Sequence, residues 1–186
     1  HDALPILIDW PLEHVVKCLV FYHPDDPAAL RAEQDALLLE VWQACNKSGH
    51  ELLLEVILPE NGPDKDERHY HTILEHFYQL GIKPDWWKLP PLSSASWQQI
   101  TALIEREDPW SRGILILGLD APSDKLRAGF AEAAAHPMIK GFAVGRTIFG
   151  QPSRRWMQGE LSDEALIEEV KRNYLTLIGY WREARR

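Results

Sequence analysis

Cysteine is scarce in this chain: two residues in 186 are too few for the disulfide framework of a small secreted domain. Cys18 and Cys45 are therefore expected as small buried hydrophobes in a reducing cytoplasm. Runs of lysine and arginine are missing as well. With 20 basic against 28 acidic residues the formal charge is −8, which excludes nucleic acid as the main partner, because a phosphate backbone needs a basic surface. No apolar stretch approaches the roughly 20 residues of a spanning helix, and no basic-then-apolar leader opens the chain, so no membrane partner is expected. Repeats, low-complexity tracts and an internal domain boundary are also lacking. The chain opens on His1 without a methionine, and is expected to be a piece of a longer product.

What is present reads as one soluble domain over residues 1–186, 45% hydrophobic and 26% charged, with enough apolar material for a core. Short apolar strand candidates recur at 15–22, 52–58, 86–89, 114–119 and 139–144, with helix-length segments between them. The first helix is expected to start with Asp26 as N-cap and Pro27 behind it and to stop at Gly49. Others are expected at about 67–80 and 95–107 and, capped by Ser123, at 124–135; Ser162 opens the last. Such β-α alternation implies a parallel sheet with right-handed crossovers, either doubly wound or part of a βα barrel.

Charges inside the strands help to choose. Lys17 stands in Val15-Val16-Lys17-Cys18-Leu19, Glu55 in Leu53-Leu54-Glu55-Val56-Ile57, and Lys88 in Trp86-Trp87-Lys88-Leu89. An open sheet covered on both faces leaves such a side chain nowhere wet to point, whereas the inward positions of a barrel near its C-terminal mouth are where catalytic groups sit. The barrel is favoured, with the three residues forming an amine/amine/carboxylate cluster. A lysine of ordinary pKa, about 10.4, leaves roughly one amine in a thousand unprotonated near neutrality. Apolar burial and a second cation both act toward the free amine. Lys88 beside Lys17 is thus the candidate Schiff-base nucleophile and Glu55 the candidate proton shuttle. The plainer alternative for each is a lysine that snorkels to water or a simple ion pair with Glu55.

A second constellation, Gly141-Phe142-Ala143-Val144-Gly145-Arg146, ends the last strand. Glycine admits a close backbone N–H and arginine adds a fork of donors, the ingredients of a phosphate site in the last βα loops of a barrel. No metal is expected: His69 and His71 lie at i, i+2 of a helix and point apart, which makes them solvated surface. His23-Pro24-Asp25-Asp26 could offer nitrogen and oxygen ligands at a strand's C-terminal end, a minor alternative, because its last residue is already taken as a cap. No cofactor is expected either.

At these residues the sequence resembles the class I tagatose-bisphosphate aldolase family, and more closely the aldolase-like domain fused behind 5-dehydro-2-deoxygluconokinase in bacterial inositol catabolism. The resemblance runs through Val16-Lys17, Tyr22-His23-Pro24-Asp25-Asp26, Leu54-Glu55-Val56, Trp87-Lys88-Leu89-Pro90 and Val144-Gly145-Arg146-Thr147, and covers essentially the whole chain. It implies a TIM (βα)8 barrel of which this chain holds about strands 4–8. It further implies a carbon–carbon lyase in which Lys88 forms the Schiff base, Glu55 is the acid/base, Lys17 is the neighbouring lysine, and Gly145 and Arg146 bind phosphate. The implied substrate is 2-deoxy-5-keto-gluconate 6-phosphate, a phosphorylated keto-sugar acid cleaved to dihydroxyacetone phosphate and malonic semialdehyde. The implied partners are the first barrel strands, absent from this chain, a fused sugar kinase and further copies in a homo-oligomer. As a truncated chain it is expected to be inactive alone. Where the aldolases carry a small-residue phosphate loop, this chain has Leu117-Gly118-Leu119-Asp120-Ala121, and Asp120 would repel phosphate. That departure supports a second reading, a non-catalytic sugar-phosphate-binding or structural domain associated with the kinase.

Overall fold

Short apolar runs alternate with amphipathic ones, and in the computed structural model, which describes residues 4–186, they become strands and helices in turn; His1 lies outside the described residues. The order is α1 (Leu4–Ile8), β1 (Val16–Phe21), α2 (Ala28–Ser48), β2 (Leu52–Ile57), α3 (Arg68–Gln79), β3 (Trp86–Leu89) and α4 (Ser94–Glu107). Then follow β4 (Gly113–Ile116), α5 (Ser123–Ala133), β5 (Ile139–Phe142), α6 (Arg146–Met157) and α7 (Asp163–Ala184). The sheet runs β1-β2-β3-β4-β5, in chain order. β1, β2 and β3 pair in parallel, and each strand is joined to the next through a helix, as parallel neighbours require. Chain order without a switch point is the order of a βα barrel and not of a doubly wound sheet.

The chain divides into two compact units, one of residues up to 89 with 95–114, the other of 90–94 with 115–186. In the first, strand alternation sorts two faces. Cys18 packs against a cluster that includes Ala44 and Cys45 of α2 and Leu52 of β2. Leu54, Val56, Trp87 and Leu89 are fully buried, and the Trp87 indole donates to the Tyr78 hydroxyl of α3 at 2.9 Å. On α3 the buried residues Tyr70, Ile73, Leu74 and Phe77 fall at i, i+3, i+4 and i+7, the stripe of a helix laid on a sheet. The other face of β1 carries Lys17, Leu19 and Phe21, and there Leu19 and Phe21 are 37% and 51% exposed: the helices of this unit leave it open. α2 stops at Gly49, whose left-handed φ of +79° lets its N–H return to the Cys45 carbonyl, a conformation that suits glycine.

In the second unit Phe130 is the centre, stacked on Phe142 at 5.0 Å and edge-on to Trp181 at 5.5 Å. Gly129 admits Pro91, since a Cβ there would stand 2.4 Å from the proline Cβ.

Several boundaries differ from the sequence expectation. Asp26 is not the cap of α2: Pro27 takes that position without a side-chain bond, and the Asp26 carboxylate instead accepts the His23 N–H at 3.0 Å, closing a turn at the end of β1. Ser123 is likewise the first residue of α5 and not its cap, which is Pro122. Ser162 does cap α7, accepting the Ala165 N–H at 3.3 Å. The strands expected to reach 119 and 144 end at Ile116 and Phe142, the former running into Leu119 and Asp120 at positive φ. α1 and α6 were not expected. α6 contains Pro152, which cannot donate to the Ile148 carbonyl four residues back; the Asn173 side chain of α7 donates to that carbonyl instead, at 2.8 Å.

Candidate active site

Three consecutive strands bring the inserted charges together. The ladder sets Glu55 opposite Lys88 and Lys17 opposite Leu53, all on the face away from the helices. The Lys88 ammonium stands 3.2 Å from Glu55 Oε1, and Lys17, one inward position lower on β1, reaches Glu55 Oε2 at 2.7 Å. Glu55 thus bridges two amines. Its side chain is 7% exposed, that of Lys88 15% and that of Lys17 46%: the carboxylate is enclosed, Lys88 is reachable, and Lys17 closes the cluster toward water. Oε2 is buried without an aligned hydrogen bond, so its contact with Lys17 is ionic and leaves a lone pair for another proton donor. One carboxylate balances one ammonium, and the second amine is in excess. A cluster of this composition can pass a proton between a carboxylate and a substrate hydroxyl beside a lysine that attacks a carbonyl.

Gly145 and Arg146 belong to the second unit. Gly145 precedes α6, and its carbonyl accepts from the Ile148 and Phe149 N–H groups. Arg146 lines a cleft of about 500 Å³ with Asp120, Ser123, Thr147, Gln151 and Arg154 among others. The Asp120 carboxylate stands 3.9 Å from the Arg154 guanidinium, which offsets part of the charge expected to repel a phosphate.

One grouping escaped the sequence reading, and of a second only the His23–Asp25 part was anticipated. At the end of β1 the buried Tyr22 hydroxyl donates to Asp35 of α2 at 3.0 Å, and His76 of α3 meets the other Asp35 oxygen at 2.9 Å. Burial and the Asp35 charge push the Tyr22 phenol well above its ordinary range, so it serves as a fixed donor that ties strand to helix. The second joins His23, fully buried, to His69, whose ring lies 4.5 Å away and whose Nε2 meets Asp64 at 2.6 Å. His69 is therefore packed against a second imidazole and is not solvated surface; its partner comes from a strand end 46 residues earlier in the chain, which spacing within α3 alone does not reveal. His23, Asp25 and His69 offer donor atoms all within 4.8 Å of one another.

Comparison with known proteins is consistent with this architecture. A family profile described as "Uncharacterized protein conserved in bacteria (DUF2090)" matches residues 2–185. No curated protein matches the sequence. Among solved structures, the fructose-bisphosphate aldolase of Plasmodium falciparum, determined in complex with TRAP and a small-molecule inhibitor, superimposes with a TM-score of 0.60 at 10% identity. The match covers 92% of this chain and 56% of the aldolase. The fold is thus that of part of a TIM barrel, and this chain spans little more than half the length of that aldolase.

Proposed function

The chain belongs to the bacterial DUF2090 family, and from that premise we propose that it is the C-terminal part of a class I, Schiff-base aldolase barrel acting on a phosphorylated keto-sugar acid. The observation that carries the reading is the Lys17–Glu55–Lys88 cluster, two amines within 3.2 Å of one enclosed carboxylate. Lys88 passes a proton to Glu55, 3.2 Å away, and its free amine adds to the substrate ketone; Glu55 then gives that proton to the carbinolamine hydroxyl, which leaves as water. The iminium then draws electrons from the bond between the carbons α and β to it. Glu55 takes the proton of the β hydroxyl, the aldehyde fragment departs, and the enamine left on Lys88 is protonated and hydrolysed, freeing the amine. Lys17, 2.7 Å from the other Glu55 oxygen, holds the carboxylate in place beside Lys88.

The finer reading follows the resemblance: 2-deoxy-5-keto-gluconate 6-phosphate as substrate, dihydroxyacetone phosphate and malonic semialdehyde as products, and a cytoplasmic homo-oligomer with a fused sugar kinase in inositol catabolism. Gly145 and Arg146 hold the substrate phosphate in this reading. The test is borohydride reduction of the complete parent protein with the keto substrate. The expected result is a covalent adduct of the substrate skeleton on Lys88, absent in Lys88→Met. An adduct on Lys17 would reverse the lysine roles. No adduct with any phosphorylated keto-sugar acid would favour the second reading, a non-catalytic sugar-phosphate-binding or structural domain, for which Asp120 beside Arg146 in the same cleft is the supporting observation.

A further inference from the structure

The loops that leave the carboxyl ends of β1 and β2, with the first turn of α3, hold a group of side chains to which the aldolase reading gives no task. His23 has no solvent exposure. Its Nδ1 accepts the Asp25 N–H at 3.1 Å, while its Nε2 is buried without a hydrogen-bond partner. That nitrogen stands 3.7 Å from Asp64 Oδ1, too far for a hydrogen bond, and the same oxygen lies 2.6 Å from His69 Nε2. Two imidazoles from different elements thus face one carboxylate oxygen, and one of the two has nothing to bind.

We propose that His23 Nε2, His69 Nε2 and the Asp64 carboxylate form a site for a divalent transition metal of the zinc type, with Asp25 as the carboxylate behind His23. Two ligand atoms on a tetrahedral ion with bonds of about 2.0–2.2 Å stand roughly 3.3–3.6 Å apart. The His23–Asp64 separation of 3.7 Å is already close to that spacing. The His69–Asp64 contact has to open by less than about 1 Å to reach it, and the Asp64 side chain, 57% exposed, has room to move. Two imidazoles and a carboxylate select zinc and its neighbours over calcium or magnesium, which take oxygen ligands.

Coordination through Nε2 requires that nitrogen's lone pair, so as the loop opens to admit the ion Nε2 gives up its proton to water and Nδ1 takes one up. No proton is gained or lost by the ring. Nδ1 then donates instead of accepting, and Asp25 Oδ2, 3.9 Å from it, replaces the Asp25 amide as its partner while that amide turns to water. The result is the carboxylate–histidine–metal arrangement that fixes ring orientation in protein zinc sites. The ion pins the loop after β1 to the loop after β2 and the start of α3.

The experiment strips the full chain with a chelator and titrates it with Co²⁺, then Zn²⁺, following visible absorption and heat. One equivalent of Co²⁺ should bind with the intense bands of a four-coordinate site, and Zn²⁺ should displace it and raise the Tm. His69→Asn and Asp64→Asn, both at partly exposed positions and checked for folding by circular dichroism, should each abolish stoichiometric binding. Asp25→Asn should weaken it by about 10–100-fold, and His71→Asn should leave it unchanged. The absence of stoichiometric binding in the unaltered chain, or binding that persists in both His69→Asn and Asp64→Asn, would overturn the site.

Discussion

In the first unit the charges of interest stand inside strands, locked by ladder register and enclosed around Glu55, whereas in the second the charges of the cleft stand on a turn and along α6, open to water. Glu55 is 7% exposed, while Asp120 is 42% and Arg154 67% exposed. The difference is energetic as well as geometric. Water screens the Asp120–Arg154 contact to near nothing, but an enclosed carboxylate between two amines feels both strongly, and removing one partner leaves a charge without compensation. Buried strand charges with that cost need a reason to be there, and chemistry supplies one; surface charges do not need it.

The largest effect expected from breaking the first arrangement is on turnover. In the complete protein, Glu55→Gln should still form the imine slowly but cut cleavage by about 10²–10⁴-fold, the usual size of acid/base assistance; full activity would remove Glu55 from the chemistry. In the second unit, Arg146→Ala should weaken phosphorylated ligands by about 1.5–3 kcal/mol, the range for charged hydrogen bonds, and barely affect unphosphorylated ones. Equal loss for both, read by calorimetric titration, would make Arg146 a structural residue.

A buried carboxylate outside the cluster, where burial outweighs the attraction of Lys83, sharpens the contrast with Glu55. Asp108 is buried and accepts only weakly from the Trp110 N–H, at 3.3 Å; burial raises its pKa above the ordinary value. Because the folded state holds this proton more tightly than the unfolded chain, the stability tied to Asp108 is greatest below the ordinary carboxyl range. It falls as pH rises through the raised pKa. At neutral pH the charge is a liability, so Asp108→Asn, which keeps an acceptor for Trp110, should raise the Tm by a few degrees at most and flatten the acid limb of the stability profile. A lower Tm at pH 7 would mean that the ionised form is needed. The smallest effect belongs to the open pair: Arg154→Ala should change stability by less than about 0.5 kcal/mol in chemical denaturation, and a loss several times larger would show that the cleft is not a solvated surface after all.

Much of this was legible in the residues. All five strands and the cores of five helices follow from apolar periodicity and from stops such as Gly49, because a strand or helix must turn its apolar side to the same neighbour along its length. The grouping of Lys17, Glu55 and Lys88 also followed, since each interrupts an apolar strand at a position where the two-residue period leaves one face for it. The shortfall lay where a side chain's partner is distant in sequence. Asp26 satisfies the cap rule locally yet bonds His23; His69 looks like helix surface until His23 is set beside it; α6 contains a proline that argues against a helix until Asn173 replaces the missing donor.

The sequence by itself determined the alternation of elements and the faces on which the charged residues lie, because these depend on local periods of two and 3.6 residues. Only the tertiary structure decided which donor meets which acceptor: Glu55 with both lysines at once, Asp35 between Tyr22 and His76, and His23 Nε2 with no partner. A hydrogen bond or ion pair depends on ångström separations between groups that chain folding brings together from dozens of residues apart, and no local period records those distances.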